Sequence, residues 1–234
     1  MGQAFIKGLI KAENSNLHVL AHKPCNLAVH NYNYKILDEF LDKVDIIFFA
    51  VRPNVWHTIK AFFKTDHYKV SLMAGIALKD LGATDLCARI MPNLAVSTGQ
   101  SVIGLYHEGF KGIEALKQIL APLGIIEDLK DEQLIAAITA VSGSGPAWLW
   151  HFIAQWIDSA VKVGFSEQQA QKIVYQTIAG TFSLGTNSDP KLLYEQVASK
   201  GGTTEAGLRV LNKANNLEQA IFAAFNKANA LSGD

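Results

Sequence analysis

Two glycine-rich stretches in the second half of the chain have the composition of backbone anion sites. The first runs Ala-Val-Ser-Gly-Ser-Gly-Pro-Ala-Trp over residues 140–148, and the second runs Ser-Lys-Gly-Gly-Thr-Thr over residues 199–204. In both, glycines allow tight backbone turns just before a helix-like run, so we expect caps at Ser144 or Gly145 and at Thr203 or Thr204. Unpaired amides at a helix start favour an anion such as a carboxylate. The residues equally allow a plain hinge at the first stretch and a plain N-cap at the second.

Strong catalytic groups are absent from the sequence. There is no H-E-x-x-H or C-x-x-C motif for zinc and no G-x-S-x-G nucleophile elbow. A chain of this kind fits a reaction whose chemistry is supplied by a cofactor, while the protein binds and orients the reactants.

Three polar turns follow apolar, strand-like runs in the first half of the chain. Arg52-Pro53-Asn54 follows residues 45–51, Gly75 follows residues 70–74, and Pro92-Asn93 follows residues 86–91. Alternating strands and helices with short loops predict a doubly wound parallel sheet, whose ligands bind at the carboxyl ends of the strands. Each turn also has the residues of an ordinary turn, but three polar turns at one edge of the sheet favour a ligand site.

The pattern changes to helices alone near Asp131. We predict an α/β domain over residues 1–129 and a helical domain over residues 130–234. Other strands are expected at 17–21, 101–106 and 123–127, and helices at 34–41, 112–120, 134–141, 146–163, 166–184, 189–198 and 217–231. The helix over 146–163 is apolar almost all round and carries three tryptophans, which is typical of burial against a second subunit.

Composition excludes several classes of protein. The chain has 234 residues, no formal net charge and 18% charged residues, without the basic stripe of a nucleic-acid-binding protein. No apolar run approaches the roughly 20 residues that span a bilayer, so we expect no membrane insertion. The two cysteines, Cys25 and Cys87, form no disulfide framework, and a reducing cytoplasm is the simplest setting.

Five motifs resemble those of the pyrroline-5-carboxylate reductase family. They have the family's order and spacing, they span essentially the whole chain, and they read Ala50-Val51-Arg52-Pro53, Met73-Ala74-Gly75-Ile76, Arg89-Ile90-Met91-Pro92-Asn93, Ala140-Val141-Ser142-Gly143-Ser144-Gly145-Pro146-Ala147 and Gly201-Gly202-Thr203-Thr204-Glu205-Ala206-Gly207-Leu208. The resemblance implies a Rossmann-like domain, then a helical domain that makes a homodimer, in many members assembled further into a decamer. The implied reaction is reduction of the C=N bond of 1-pyrroline-5-carboxylate to L-proline with NADPH or NADH, the last step of proline biosynthesis.

The resemblance also implies a role for each motif. Residues along the cofactor would be Ala50, Val51, Arg52 and Pro53, and those near its nicotinamide would be Ala74, Gly75, Met91 and Asn93. The amides of Gly201, Gly202, Thr203 and Thr204 would hold the substrate carboxylate, and the Thr204 hydroxyl would bind the ring nitrogen. The other side of the pocket would be shaped by Ser142, Gly143, Ser144, Gly145 and Pro146.

The beginning of the chain departs from the family. Met1-Gly2 matches the last two residues of the G-x-G-x-x-G loop, while the first strand and the rest of that loop have no counterpart. In this fold that strand lies at the centre of the sheet, so a chain that starts at Met1 is expected to bind cofactor weakly or not at all. Leu94-Ala95 replaces the usual Thr-Pro, and Lys200 replaces a proline and is expected to be solvated.

The end of the second family strand bears on cofactor preference. An acidic residue there would bind the ribose hydroxyls of NAD, but the sequence offers His22 and Lys23, which suit a 2′-phosphate. We therefore expect NADPH to be preferred.

Two other functions remain open on the sequence. A related dehydrogenase of a small hydroxy acid would need a lysine in the site, and the nearest candidate, Lys162, lies far along its helix from the pocket. A non-catalytic, dimerising paralogue is favoured by the missing loop and opposed by the intact motifs at Ser142 and Gly201.

Overall fold

The computed structural model describes residues 1–13, 16–21, 26–27, 29–32, 40–63, 66–185, 189–213 and 216–232. The chain forms two compact units, one made of Met1–Pro146 together with the chain from Ile221 onward, the other of Ala147–Ala220. The expected boundary was at 129–130, whereas the first unit keeps the following helical segment and takes back most of the last helix. The two units are described separately below.

The first unit combines strands and helices, as the sequence predicts. Its elements are α1 (Gly2–Lys11), β1 (His18–Leu20), β2 (His30–Tyr32), β3 (Ile46–Phe49), α2 (Pro53–Ile59), β4 (Tyr68–Ser71), β5 (Cys87–Met91), β6 (Ser101–His107), α3 (Ile113–Leu120), β7 (Gly124–Asp128) and α4 (Leu134–Ile138), with short 3-10 turns that include Leu94–Thr98.

Parallel pairing of β3, β4 and β5 forms the centre of this unit. Phe48 lies opposite Val70, and Val70 lies opposite Ala88, which brings the carboxyl ends of all three strands to one edge. Every residue of β5 is buried, as expected of a strand covered on both faces. One face packs on α1 and α3 through Phe5, Leu9 and Leu116. The other face packs on α2 through Trp56.

The predicted parallel sheet is confirmed across β3, β4 and β5, and the exception is β6. This strand runs antiparallel to β5, with Met91 opposite Gly104, and β7 then pairs with β6 in parallel. The physical reason is the length of the connection, because residues 92–100 make only a short 3-10 turn. A parallel return needs a crossover of a dozen or more residues.

The sheet is divided into two parts. Strands β3 to β7 form one part, and β1 with β2 forms the other, a parallel pair that places His18 opposite His30. In the described part of the chain, β1 is not paired with β3, and a cleft of about 1080 Å³ lies between them. The sequence did not predict β2, and most of the helix expected at 34–41 lies outside the described residues, as do His22, Lys23 and Cys25.

Helix α1 lies unusually close to the segment that follows β5. A side chain at Gly8 would overlap the backbone carbonyl of Val96, so only glycine permits this approach. Phe5 and Leu9 are buried on the same side of the helix, and Phe5 packs on the Phe48 ring with centroids 5.1 Å apart. Glycine at position 8 therefore allows α1 to pack closely against the sheet and the segment that follows β5.

The second unit is helical. It contains most of α5 (Gly145–Lys162), all of α6 (Glu167–Ser183), α7 (Pro190–Val197) and α8 (Thr203–Leu211), and the start of α9 (Asn216–Ser232). Several predicted boundaries are confirmed. Gly164 has a positive φ just after α5, Ser166 and Gln169 form a capping box, and the Asp189 side chain caps α7. Among the described helices, none is long and apolar enough to cross a bilayer.

Replacing Gly8 with alanine tests the close seating of α1. The added methyl group overlaps the Val96 carbonyl, so we expect Gly8→Ala to lower the free energy of unfolding by about 1–3 kcal/mol, measured by urea denaturation. Gly180→Ala is the matched control. Gly180 lies inside α6 with open space around it, and there alanine should raise the free energy of unfolding by about 0.4–1 kcal/mol. Equal effects at the two positions would contradict this account of α1.

Candidate functional site

The loop after β3 begins the carboxyl edge of the sheet. Ala50, Val51 and Arg52 are exposed there. Arg52 caps α2 in an extended conformation, its carbonyl accepts from the amide of Val55 at 2.9 Å, and Pro53 takes the first helical position. Proline fits this position because no amide is needed there. The Ala50–Pro53 motif thus begins as an exposed loop at the carboxyl edge of the sheet.

The turn after β4 is fixed by backbone contacts. The amide of Met73 donates to the Ser71 hydroxyl at 3.1 Å, and Gly75 has a φ of 79°. A side chain at Gly75 would also overlap the backbone of Leu231 near the end of α9. The positive φ and the close approach of Leu231 each explain why glycine occupies this position. The contact of Ala74 and Gly75 with a nicotinamide stays a prediction.

Asn93 organises the end of β5. Its side-chain oxygen accepts from the amide of Ala95 at 2.9 Å, so its nitrogen faces the other way and donates to the Ser142 hydroxyl at 3.0 Å. The backbone amide of Asn93 donates to the hydroxyl of buried Ser101 at 3.0 Å. The structure therefore brings together two motifs, at Asn93 and at Ser142, that lie far apart in the sequence.

The start of α1 lies at the same edge. Gly2 lies against Ala50, where an added Cβ would be 3.2 Å from the Ala50 methyl group. Met1 is the N-cap of α1 and provides no side-chain cap, which leaves the first-turn amides without a side-chain acceptor. Such amides suit a phosphate group. Gly2 and Ala50 thus lie together at this edge, and a contact of Met1, Gly2 and Ala50 with a cofactor stays a prediction.

A partly buried ion pair that the sequence analysis missed holds the turn after β4 in place. Arg89 is almost fully buried in β5 and donates to the Glu132 carboxylate at 2.7 Å, and the same carboxylate oxygen accepts from the Leu78 amide at 2.6 Å. A second Arg89 nitrogen reaches the Met73 carbonyl at 3.4 Å. The pair therefore holds both ends of the segment 73–78. An arginine inside an apolar strand was the available signal, because a buried charge requires a partner.

The Ser142–Pro146 stretch is not the tight turn that the sequence predicts. Residues Thr139–Gly143 form a π-helix that joins α4 to α5, and the Ser144 amide donates to the Thr139 carbonyl at 3.0 Å. This amide is therefore used within the helix and does not form an anion site, which corrects the predicted N-cap at Ser144 or Gly145. Single π-turns occur often at functional sites, because they admit an extra residue into a helix. Here the extra residue accompanies the Ser142 contact with Asn93.

In the second unit, the Gly201–Thr204 turn opens α8 as expected, but with a different cap. Gly202 is the N-cap and has no side-chain cap bond, while Thr203 and Thr204 lie in the first turn, which corrects the predicted threonine cap. Thr203 is exposed and Thr204 is partly buried. The Gly201 φ of 76° suits glycine.

This turn already binds a carboxylate of its own chain. The Gly201 amide donates to the Glu205 carboxylate, whose other oxygen accepts from Arg209 at 2.8 Å. These two contacts, the Gly201 amide first, hold the pKa of Glu205 below its usual range. Glu205 is therefore ionised at neutral pH, and the contact is lost as the pH falls through its folded-state pKa. The sequence analysis did not identify Glu205 as part of the site.

The first-unit residues fit a dinucleotide at the carboxyl edge of the parallel strands. The edge combines the uncapped amides of α1 with the loops that begin at Ala50 and Ala74 and with the buried ends of β5 at Met91 and Asn93. Within the described residues, no cluster of histidine, cysteine, aspartate and glutamate side chains could hold a metal ion.

Comparison with known proteins gives one consistent result. The sequence model described as "Pyrroline-5-carboxylate reductase dimerisation" matches residues 132–233. Pyrroline-5-carboxylate reductase of Staphylococcus epidermidis is 30% identical, and the match covers 99% of this chain and 94% of that protein. The corresponding enzyme of Staphylococcus haemolyticus is 30% identical over 90% of this chain and 86% of its own length.

Solved structures agree with the sequence comparison. Plasmodium falciparum pyrroline carboxylate reductase, solved with NADP bound, is 26% identical with a TM-score of 0.88 and is matched over 100% of this chain and 95% of its own. The Streptococcus pyogenes 1-pyrroline-5-carboxylate reductase has a TM-score of 0.85 at 26% identity, over 97% of this chain and 93% of its own.

Removing Glu132 tests the brace between β5 and the β4 turn. Glu132→Ala leaves Arg89 buried without its carboxylate and the Leu78 amide without its acceptor. Because the Glu132 side chain is 28% exposed and water can enter, we expect a loss of about 2–3 kcal/mol in the free energy of unfolding. Lys111→Ala, which breaks an exposed ion pair with Asp85, is the control and should change little. Similar losses in the free energy of unfolding for both variants would contradict the stabilising role of the Arg89–Glu132 pair.

Proposed function

The chain belongs to the pyrroline-5-carboxylate reductase family, and on this basis we propose that it reduces the C=N bond of 1-pyrroline-5-carboxylate to give L-proline, with NADPH as the cofactor. The observation that carries the proposal is the joint placement of Gly2, Ala50 and Asn93 at one sheet edge, at the positions of the family's motifs. When bound, the nicotinamide supplies the hydride. The protein supplies binding, orientation and a hydrogen-bond donor.

The first unit is proposed to hold the cofactor. The amides that begin at Met1 and Gly2 face the phosphates, and the loop of Ala50, Val51, Arg52 and Pro53 lies along the nucleotide. Ala74, Gly75, Met91 and Asn93 border the nicotinamide, supported by the Arg89–Glu132 pair and by the hydrogen bonds of Asn93. His22 and Lys23 are proposed to bind the 2′-phosphate, which keeps the expected preference for NADPH.

The Gly201–Thr204 turn is proposed to hold the substrate carboxylate through its amides. Glu205 supports this because its own carboxylate already binds the Gly201 amide. The Thr204 hydroxyl then donates to the ring nitrogen, where negative charge would otherwise build up as the bond is reduced. Gly202 and Thr203 complete the turn. Ser142, Gly143, Ser144, Gly145 and Pro146 are proposed to shape another part of the substrate pocket.

This chemistry needs no strongly tuned acid. Reduction of an imine requires the reacting atoms in contact, a fixed carboxylate and a donor at nitrogen, and holding the reactants in place can lower a barrier by several kcal/mol. The proton reaches nitrogen from solvent or through the Thr204 hydroxyl. Lys162, the base that a hydroxy-acid dehydrogenase would need, is exposed at the last residue of α5. This position does not favour that alternative.

The helical unit is proposed to form a homodimer, which can assemble further into a decamer. Large apolar side chains remain exposed along α5, among them Trp150, Phe152 and Trp156, with exposed fractions of 56%, 48% and 38%. Burying such a surface against a second copy is strongly favourable. We place the protein in the cytoplasm, in keeping with the free thiol of Cys87.

Thr204 provides the test of the proposed donor. We expect Thr204→Val to lower kcat/KM for 1-pyrroline-5-carboxylate by about 100-fold, because one donor to the reacting nitrogen is lost. Thr204→Ser keeps the hydroxyl and should restore most of the activity. Thr203→Val is the matched control, since Thr203 is exposed in the same helical turn, and it should leave kcat/KM within a few-fold of the parent. Equal losses at both threonines would contradict the role of Thr204.

Glu205 tests whether the same turn binds the substrate carboxylate. Glu205→Gln removes a negative charge that competes for the Gly201 amide, so the dissociation constant for L-proline should fall by about 2- to 5-fold. Titration calorimetry measures this directly, without need of the reaction. Glu195→Gln, an exposed change on α7, is the control and should have no effect. Weaker L-proline binding by Glu205→Gln would count against the turn as the carboxylate site.

A further inference from the structure

The segment 73–78, which follows β4, has two different sides. Large apolar side chains anchor one side in the core, and they belong to Met73, Ile76 and Leu78. The residues between them are small and partly exposed, and they are Ala74, Gly75 and Ala77. Small residues let a flat ring approach the backbone closely. The position of the backbone in this segment therefore decides how such a ring would lie.

Hydrogen bonds to the Arg89–Glu132 pair hold this backbone in place. One Glu132 oxygen accepts from the Leu78 amide at 2.6 Å and from Arg89 at 2.7 Å. Another Arg89 nitrogen donates to the Met73 carbonyl at 3.4 Å. In β5, the two neighbours of Arg89 pack on the α1 side of the sheet, so the Arg89 side chain lies on the opposite side, with the segment. The pair thus contacts the first and the last residue of the segment.

Glu132 is the member of the pair on which both contacts depend. Arg89 is 3% exposed, and its Nε is buried with no hydrogen-bond partner among the residues that the structure describes. A buried guanidinium that loses its anion is costly. When the Glu132 charge is removed, we therefore expect Arg89 to move toward water and away from the Met73 carbonyl.

The stretch of chain that begins at Glu132 is also tied to the end of β5. It continues through α4 and the π-turn to Ser142, whose hydroxyl accepts from the Asn93 side chain at 3.0 Å. Asn93 directly follows the pair of residues that ends β5 and its turn, while Arg89 lies within that strand. Both ends of this stretch are therefore bonded to β5 or to the residues just after it, which fixes the place of the Glu132 carboxylate.

We propose that Glu132 is a positioning residue for hydride transfer, because its hydrogen bonds hold the segment 73–78 where the nicotinamide ring of the cofactor packs. The inference rests on the proposed function, in which Ala74 and Gly75 border the nicotinamide. Glu132 acts through the backbone of the segment and does not touch the cofactor. Its effect is therefore confined to the nicotinamide half of the cofactor, since the adenosine half is proposed to lie on other loops.

Two ligands separate positioning from stability. NADP carries the nicotinamide, whereas adenosine 2′,5′-bisphosphate lacks it. We expect Glu132→Gln to raise the dissociation constant for NADP by about 10-fold and to leave that for the bisphosphate within about 2-fold, by titration calorimetry. Without any ligand, amide hydrogen exchange over residues 74–78 should be at least about 10-fold faster than in the parent. With NADPH, kcat should fall by about 10- to 100-fold.

A double variant keeps the test independent of folding. Arg89→Met combined with Glu132→Met removes both charges together, and apolar replacement of an ion pair is often neutral for stability. Tm should therefore stay near that of the parent, while the loss of NADP affinity should match that of Glu132→Gln. Leu116→Val is the control for stability alone. Leu116 is fully buried against the other face of the sheet, and its change should lower Tm without altering the ratio of the two dissociation constants.

Two results would overturn the inference while the proposed function stands. One is equal weakening of NADP and the bisphosphate by the Glu132 variants, which would make the pair purely structural. The other is a double variant whose NADP affinity and kcat stay within about 2-fold of the parent. A parent chain that neither binds NADP nor reduces 1-pyrroline-5-carboxylate would overturn the proposed function, and this inference with it.

Discussion

The parallel ladder from β3 through β4 to β5 determines where the proposed cofactor contacts in the loops after these strands lie. Because these three strands share one direction, the loops that follow them meet at a single edge, and Ala50, Gly75 and Asn93 are neighbours of that edge by topology. Complete burial of β5 holds the ladder in place. The antiparallel strand β6 extends the sheet beyond it without displacing the edge.

Side-chain contacts hold the loops at this edge in place. The Arg89–Glu132 pair holds the segment 73–78 from both ends, and Asn93 joins the end of β5 to the π-turn at Ser142. These contacts are inside or close to the core, where each unmet donor would be costly. In the helical unit, the Gly201 turn has a simpler arrangement, a positive-φ glycine and an amide that binds a carboxylate. The first unit thus contains the edge where the cofactor is proposed to bind, and the second unit contains the Gly201 turn.

The sequence predicted most elements because their patterns are local. The apolar run at β3, the capping box at Ser166 and the Asp189-Pro190 helix start all depend on neighbours within a few residues. It failed at three places, for different reasons. The direction of β6 depends on the length of its connection. The Arg89–Glu132 pair joins residues 43 apart in the sequence. The glycine-rich stretch near Ser142 looks like a helix break in the sequence, but the π-turn keeps it helical in the structure. The site motifs were found by resemblance, and their contacts came from the structure.

Transfer of deuterium from reduced cofactor to product tests the central claim most directly. The protein is incubated with 1-pyrroline-5-carboxylate and NADPH that carries deuterium at the transferable position of the nicotinamide, and the product is examined by NMR. Direct reduction at a site that orients both reactants predicts L-proline with deuterium only at the ring carbon that was double-bonded to nitrogen. L-proline without deuterium at that carbon would contradict the account.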